Sequence, residues 1–330
     1  MTTPKASTPK GTQQFRLLWQ LMKGHRLLYS AAVGSLLFSI LFSYMVPLVG
    51  RAIIDLVLSD KTESSEALTR YLLQLMGGGA YLKEHLWIGA IAITFFAACR
   101  GVFAYFKGKW AAMASDGIAL QLKNRLYDHL QHVPTKYHDK ADTGDLVQRC
   151  TSDVETIRMS LSSHVVSVSN AFILMSLAIP LMYSLDPKMT AVSFSLILPI
   201  ILFGFFYFQW VKKVFREADE AEGKLTAVIQ ENLTGIRVVR AFARQAFEIE
   251  RFSGPNARYR DLNLKLIRLI ASYWTISDLI AITQNGIVLM VGIYWLSIGS
   301  LSVGTLFAFL ALLNLILWPI RQMGRTLTDL

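Results

Sequence analysis

Residues 164–210 read HVVSVSNAFILMSLAIPLMYSLDPKMTAVSFSLILPIILFGFFYFQW. Two apolar runs, His164–Leu185 and Met189–Trp210, are separated only by Asp186-Pro187-Lys188. A helix crossing about 30 Å of hydrocarbon at 1.5 Å per residue needs about 20 mostly apolar residues. Both runs have that length, and three polar residues between them suffice for a turn at a membrane surface. The stretch therefore predicts two consecutive membrane spans.

Four more runs of this kind flank it. They are Leu27–Val49, about Leu86–Phe106 with one internal charge at Arg100, about Leu269–Ile298, and about Val303–Ile320. The fold class expected is all-α integral membrane with six transmembrane helices. Composition agrees. The 330 residues are 53% hydrophobic and 17% charged, against about 25% charged in a soluble globular chain, and the mean hydropathy is +0.40. These values argue against a soluble enzyme and against a disordered chain. The net charge of +10 suits nucleic acid or an anionic membrane surface. The apolar runs decide for the membrane, so no nucleic acid partner is expected.

Lys and Arg set the orientation, because they concentrate on the cytoplasmic side. The N-terminal segment, the stretches 107–163 and 211–268, and the residues after the last span hold 27 of them. The opposite loops hold four: Lys61, Arg70, Lys83 and Lys188. Both termini and both long loops are therefore expected in the cytoplasm. Residues 1–14 are polar and read as a disordered tail. Residues 15–26 (FRLLWQLMKGHR) mix Leu and Trp with basic residues and read as a short interfacial helix.

The two long loops contain little Gly or Pro, and their apolar residues recur at three-and-four spacing. In the first, Leu122, Leu126, Leu130 and Val133 share a face, then Val147, Cys150, Val154, Ile157 and Leu161. In the second the stripe is Val211, Phe215, Ala218, Leu225, Ile229, Asn232 and Ile236. Each loop reads as a descending helix, a short turn and an ascending helix, and a 25-residue arm reaches about 37 Å beyond the bilayer. The distal tips fall near Pro134–Asp145 and Ala243–Phe252. A membrane protein holding two short elements that far out is expected to dock something there.

The tips carry a resemblance. KYHDKADTGDLVQRCTSDVETIR is similar to the first intracellular loop of ABC exporters of the half-transporter type, the multidrug and lipid exporters. The matching positions are Tyr137, Thr143, Gly144, Asp145, Leu146, Arg149, Asp153, Val154 and Ile157, with His138 where the family has a second aromatic. ENLTGIRVVRAFARQAFEIERF resembles the second loop through Glu231, Leu233, Gly235, Ile236, Val238, Val239, Ala241, Phe242, Glu248 and Phe252. Arg240 and Gln245 replace a common Lys and Glu. Gly299, Val303, Gly304, Thr305, Leu306 and Pro319 resemble the start of the family's sixth span.

The resemblance implies a domain-swapped dimer, with a second copy or a similar half-transporter as partner. It implies a nucleotide-binding domain, fused or separate, that the tips touch as coupling helices. The first coupling helix would use Tyr137, His138, Ala141, Thr143, Gly144 and Asp145. The second would use Ala243, Arg244, Gln245, Phe247 and Glu248. It implies export of amphipathic drugs or lipids by alternating access, in the bacterial inner membrane.

No G-x-x-x-x-G-K-[ST] occurs; Gly108-Lys109 and Gly223-Lys224 lack the rest of the motif. This chain alone is therefore not expected to hydrolyse ATP by that route. The resemblance places ATP and Mg in the nucleotide-binding domain that these residues do not include. The whole transporter would be an ATP-hydrolysing translocase. The expectation is a permease domain separated from that domain; the alternative is a natural subunit that recruits a separate ATPase. A receptor or scaffold docking a cytosolic partner is the competing class. His129 and His132 lie one turn apart without a third ligand nearby, and Cys99 and Cys150 have no metal-ligand spacing, so no metal site is expected.

Polar groups inside spans are costly and often functional. The candidate cavity residues are Arg100, Asp278, Asn285, Asn314 and Trp318. Arg100 either meets an anionic substrate or pairs with a carbonyl or Asp278. Asp278 either attracts a cation or pairs with Arg100. Gln284, Asn285 and Asn314 either bond between helices or meet substrate. Trp318, with Tyr294, Trp295 and Phe309, either lines the cavity or belongs to the interfacial aromatic belt.

Overall fold

The computed structural model describes residues 24–58, 74, 78–139 and 141–329. The tail at 1–14 and all but the last three residues of the interfacial segment lie outside the described residues. The helices are α1 (Arg26–Leu58), α2 (Gly79–Glu84), α3 (Trp87–His132), α4 (Thr135–His138), α5 (Thr143–Leu185), α6 (Pro187–Thr234), α7 (Ile236–Ala241), α8 (Gln245–Ser297) and α9 (Val303–Asp329). Among the described residues six are long and apolar enough to cross a membrane. The protein is an all-α integral membrane protein. Each run read as a span lies within one of these helices, save one or two residues at the ends of the second and fifth. The helices extend past the runs into the polar sequence, so the two long loops are largely helical.

The chain forms two compact units. The first comprises the residues up to Leu185 together with Gly299–Leu312, and the second Asp186–Ile298 and Leu313–Asp329. In the first unit α1 packs along α3, burying Tyr29, Ala32, Leu36, Ile40, Tyr44 and Leu48 at one-turn intervals. Tyr44 Oη donates to the Leu174 carbonyl at 2.6 Å, and Tyr29 Oη to that of Leu161. These hydroxyls tie α1 to α5, where water is scarce and an unpaired O–H would be costly. At the other end of α1, Asp55 caps α9. Its Oδ1 accepts the Gly304 amide and its Oδ2 the Ser302 hydroxyl, both at 2.8 Å. A carboxylate at a helix N-terminus is favoured by the unpaired amides there. Gly304 is required for this approach, since a Cβ would collide with the Arg51 carbonyl.

The first arm departs from the expected stripe. Leu122, Leu126, Leu130 and Val133 are half-buried, but Val147 is 56% exposed and Leu146 faces inward instead. The reason is two wide, π-type turns in α5 at Arg149–Asp153 and Ser160–His164. Such turns shift the register of the face. Leu146, Cys150, Val154, Ile157 and Leu161 then stay on one side at a repeat slightly longer than 3.6.

In the second unit α6 packs along α8. The inward positions of the α6 arm are Val211, Val214, Ala218, Ala221, Leu225, Val228 and Asn232, and those of α8 are Glu248, Phe252, Pro255, Tyr259, Leu262, Leu266, Leu269 and Tyr273. Both sets alternate steps of three and four. That is a heptad seam, the pattern of a left-handed two-helix coil. Phe215, expected on this stripe, is 57% exposed, and Ile229 and Ile236 are also turned outward. A 3.5 repeat selects Val214, Ala221 and Val228 where a 3.6 stripe drifts onto those flanking positions.

Candidate functional site: the membrane polar face and the arm tips

Inside the second unit, α8 and α9 bring a polar and aromatic set together. Arg321 is 7% exposed, yet its side chain is charged. Its Nη2 lies 2.5 Å from Asp278 Oδ1, its Nε donates to Ser277 Oγ at 2.6 Å, and its carbonyl accepts from Tyr273 Oη at 2.7 Å. Its guanidinium carbon sits 5.3 Å from the Trp274 ring centre, and Trp274 stacks on Trp318 at 5.7 Å. A buried guanidinium needs partners of this kind. One turn or two away, Asn285 and Asn314 exchange amide hydrogen bonds at 3.4 and 3.3 Å. Asp278, Trp318 and Asn314 are exposed within the chain, and Asn285 partly so.

Asp278, for which the sequence offers Arg100 as a partner, pairs with Arg321 within its own unit. The sequence reading placed Arg321 beyond the last span. Helix α9 continues through Arg321 to Asp329, which turns that residue onto α8. Arg100 lies in the first unit, exposed on α3, and its carbonyl accepts from Ser39 Oγ at 3.3 Å. Phe96 and Phe103, one turn either side of it, stack with Phe42 at 6.1 and 5.6 Å. Phe309 is fully buried, so it is a packing residue. Trp274 was not singled out from the sequence; its four-residue spacing to Asp278 was the available signal.

At the first tip, Tyr137 and His138 lie on the single turn α4, and a His138 ring nitrogen is 3.1 Å from the Leu130 carbonyl. Ala141 sits in the linker. Asp142 caps α5, its Oδ1 accepting the Gly144 amide at 2.8 Å. Thr143, Gly144 and Asp145 form the first turn of α5, where Asp145 pairs with Arg149 at 2.8 Å. The ascending helix is held to α3 by Arg158, which binds Glu155 through two nitrogens and Asp116 at 3.0 Å. These bonds hold the Glu155 carboxyl below its ordinary range and push the Arg158 guanidinium up.

At the second tip the turn is Phe242–Arg244, with Ala243 in the left-handed region at φ 49°. The expected tip at Ala243–Phe252 therefore shifts: Gln245, Phe247 and Glu248 already belong to the first turn of α8, and the short helix is α7. Glu248 accepts from Asn232 Nδ2 at 3.0 Å and lies 3.7 Å from Arg251, which also binds Glu231 at 2.5 Å. Glu248 thus closes the seam between α6 and α8. By contrast Phe242 is 73% exposed and Phe247 56%, with Val238 and Ile249 also outward. A cavity of about 310 Å³ opens between α6, α7 and α8, lined by Leu233, Ile236, Val239, Ile249 and Phe252. The second tip thus places exposed apolar groups around an apolar recess.

Among the described residues no three His, Cys, Asp or Glu side chains gather as a metal site.

The family model described as the ABC transporter transmembrane region matches residues 29–320. A Bacillus subtilis ABC transporter ATP-binding protein, YknU, is 30% identical over 251 residues, covering 76% of this chain and 42% of YknU. A Staphylococcus aureus protein named as a multidrug export ATP-binding/permease protein is 26% identical over 298 residues, covering 89% of this chain and 48% of that one. An ATP-dependent lipid A-core flippase of Syntrophus aciditrophicus is 28% identical over 242 residues, 72% of this chain and 39% of the flippase. The chain spans less than half the length of these relatives.

Proposed function

Because the chain belongs to the ABC transporter transmembrane region family, we propose that it is the membrane part of an ATP-driven exporter of amphipathic compounds. Two such parts, from a second copy or a similar chain, would exchange helices in a dimer and work by alternating access in the bacterial inner membrane, with both termini in the cytoplasm. ATP and Mg bind in nucleotide-binding domains, fused or separate. ATP draws those domains together because it binds the closed state more tightly. The two tips carry that movement to the spans as a rigid-body change.

The observation that carries this reading is the second tip. Its exposed Phe242 and Phe247 stand at the end of a heptad-packed arm, with a recess beside them. Residues 211–234 alone span about 36 Å as a helix. Such an arm transmits a push only if it is stiff and its end is gripped. The substrate side is supported by the polar and aromatic face of Asp278, Trp274, Trp318, Asn285 and Asn314. Groups of that kind at membrane depth face a protein interior or a water-filled cavity.

The test is the ratio of transport to ATP hydrolysis in the complete transporter. Phe242→Ala with Phe247→Ala removes the grip and leaves the Glu248 tie intact. The expected outcome is transport lowered about tenfold with hydrolysis retained. An unchanged ratio contradicts the reading. A cytosolic partner without nucleotide-binding motifs at this tip would favour the receptor or scaffold class.

A further inference from the structure

Helix α6 is interrupted inside the membrane. It is regular over Pro187–Phe194 and again from Ile197, with a break at Ser195–Leu196. Pro199 explains the break. It has no N–H for the Ser195 carbonyl four residues back, and its ring crowds that carbonyl. The break leaves the Leu196 N–H and the Ser193 carbonyl without a helical partner, while the Val192 carbonyl still accepts the Ser195 N–H at 3.2 Å. No water can serve them in the bilayer, so the protein must.

One side chain serves both and adds a second bond to the Val192 carbonyl. Gln284, fully buried on α8, accepts from the Leu196 amide at 3.1 Å and from Ser195 Oγ at 3.3 Å. Its Nε2 donates to the Val192 and Ser193 carbonyls, both at 2.9 Å. A primary amide is the neutral side chain with both an acceptor oxygen and two donor hydrogens. It supplies an acceptor to the Leu196 amide and donors to the Val192 and Ser193 carbonyls, bridging the break from α8. The neighbouring Ser193 hydroxyl is fully buried and has no partner. An unpaired buried hydroxyl is costly, which makes the break a locally unsatisfied point of the span.

The place of the break matters. Leu185 ends one compact unit and Asp186 begins the other. Asp186 is extended and caps the next helix through the Met189 amide at 2.7 Å. The first rigid piece beyond that junction is Pro187–Phe194, about 12 Å long, and the next soft point is Ser195–Leu196. We propose that Ser195–Leu196 is a hinge in the fourth span and that Gln284 is the positioning residue that sets its bend during the transport cycle. This rests on the export reading above.

The experiment uses the complete transporter in liposomes, with Cys99 and Cys150 replaced by Ser. Spin labels on exposed Lys188 and Gln209 bracket the hinge, about 32 Å apart along a straight helix. A second pair, at exposed Arg237 of the two chains, reports the arms. Distances are compared without nucleotide and with ADP and vanadate. The hinge pair is expected to shift in the wild type and to become nucleotide-independent in Gln284→Leu. Transport by that variant should fall about tenfold with hydrolysis kept. Where Gln284→Leu fails to insert, Pro199→Ala carries the test: it returns an N–H to Ser195 and should straighten the span and remove the shift. A wild-type hinge pair that does not move while the arms do overturns the hinge and leaves export standing. If neither pair responds, both fall. A purely structural role for Gln284 would lower thermal stability and leave the distance shift and coupling ratio unchanged, which also overturns the proposal.

Discussion

The two long helical arms are built from the same kind of sequence and are held in different ways. In the first, small residues such as Ala111, Ala114 and Ser115 let α3 be approached closely, and Arg158 ties α5 across to Asp116. Its packing face follows an irregular repeat with two wide turns. In the second, an unbroken heptad seam runs from Val211 and Tyr273 out to Asn232 and Glu248. Charge and a loosened helix give an arm that adapts. A continuous apolar seam gives one that stays straight. The arm with the continuous seam is also the one that ends in exposed Phe242 and Phe247.

The largest break in this contrast is Leu225→Asp. It places an unpaired carboxylate in the seam and should cost about 3 kcal/mol or more. Amide hydrogen exchange should then rise along 211–268 and remain low along 107–163; equal loosening of both arms would show that the seam is not local.

A smaller change of opposite sign is Ala243→Gly. The left-handed φ of 49° strains an alanine, and glycine should relieve about 1 kcal/mol. Thermal melting of the second arm should rise by a few degrees; a fall would mean the turn is not strained.

These sites also show what the sequence could and could not tell. The spans were legible because apolar runs of about 20 residues have few other uses. The arms were legible as helices, but their faces only in part. Val147 and Phe215 were misplaced because a 3.6 repeat was laid over one helix with wide turns and another with a 3.5 seam. Helix ends were harder still. Arg321 seemed to lie past the last span, so its pairing with Asp278, 43 positions earlier, had no local signal. The same holds for Asp55 capping a helix whose first turn begins at Val303, and for Gln284 repairing a break across α6. Polar partners within one turn can be read from spacing; partners brought together by packing cannot.

Arg158→Ala should affect only the first arm, and less than Leu225→Asp affects the second, because Asp116 and Glu155 are exposed enough for water to replace the guanidinium. The difference in melting from the wild type should shrink at 1 M salt. A loss unaffected by salt would assign Arg158 a packing role.

The smallest expected effect is on acidification. Glu155 is held below its ordinary value by the Arg158 hydrogen bond. Its contribution is therefore fully present above the unfolded carboxylate range, about 4.3, and is lost as pH falls through the lower folded value. The protection of amides along 143–163, relative to their intrinsic exchange rates at each pH, should be flat from neutral pH to about 5 and fall only below that range. A loss of protection at pH 6 would point to a different group.

The central claim is that the second tip grips a nucleotide-binding domain. A photo-crosslinking residue at position 247, activated in native membranes, tests it most directly. The account predicts an adduct peptide from a domain carrying a G-x-x-x-x-G-K-[ST] motif, lost when Phe242 is also replaced by Asp. Adducts confined to a protein without that motif would contradict it.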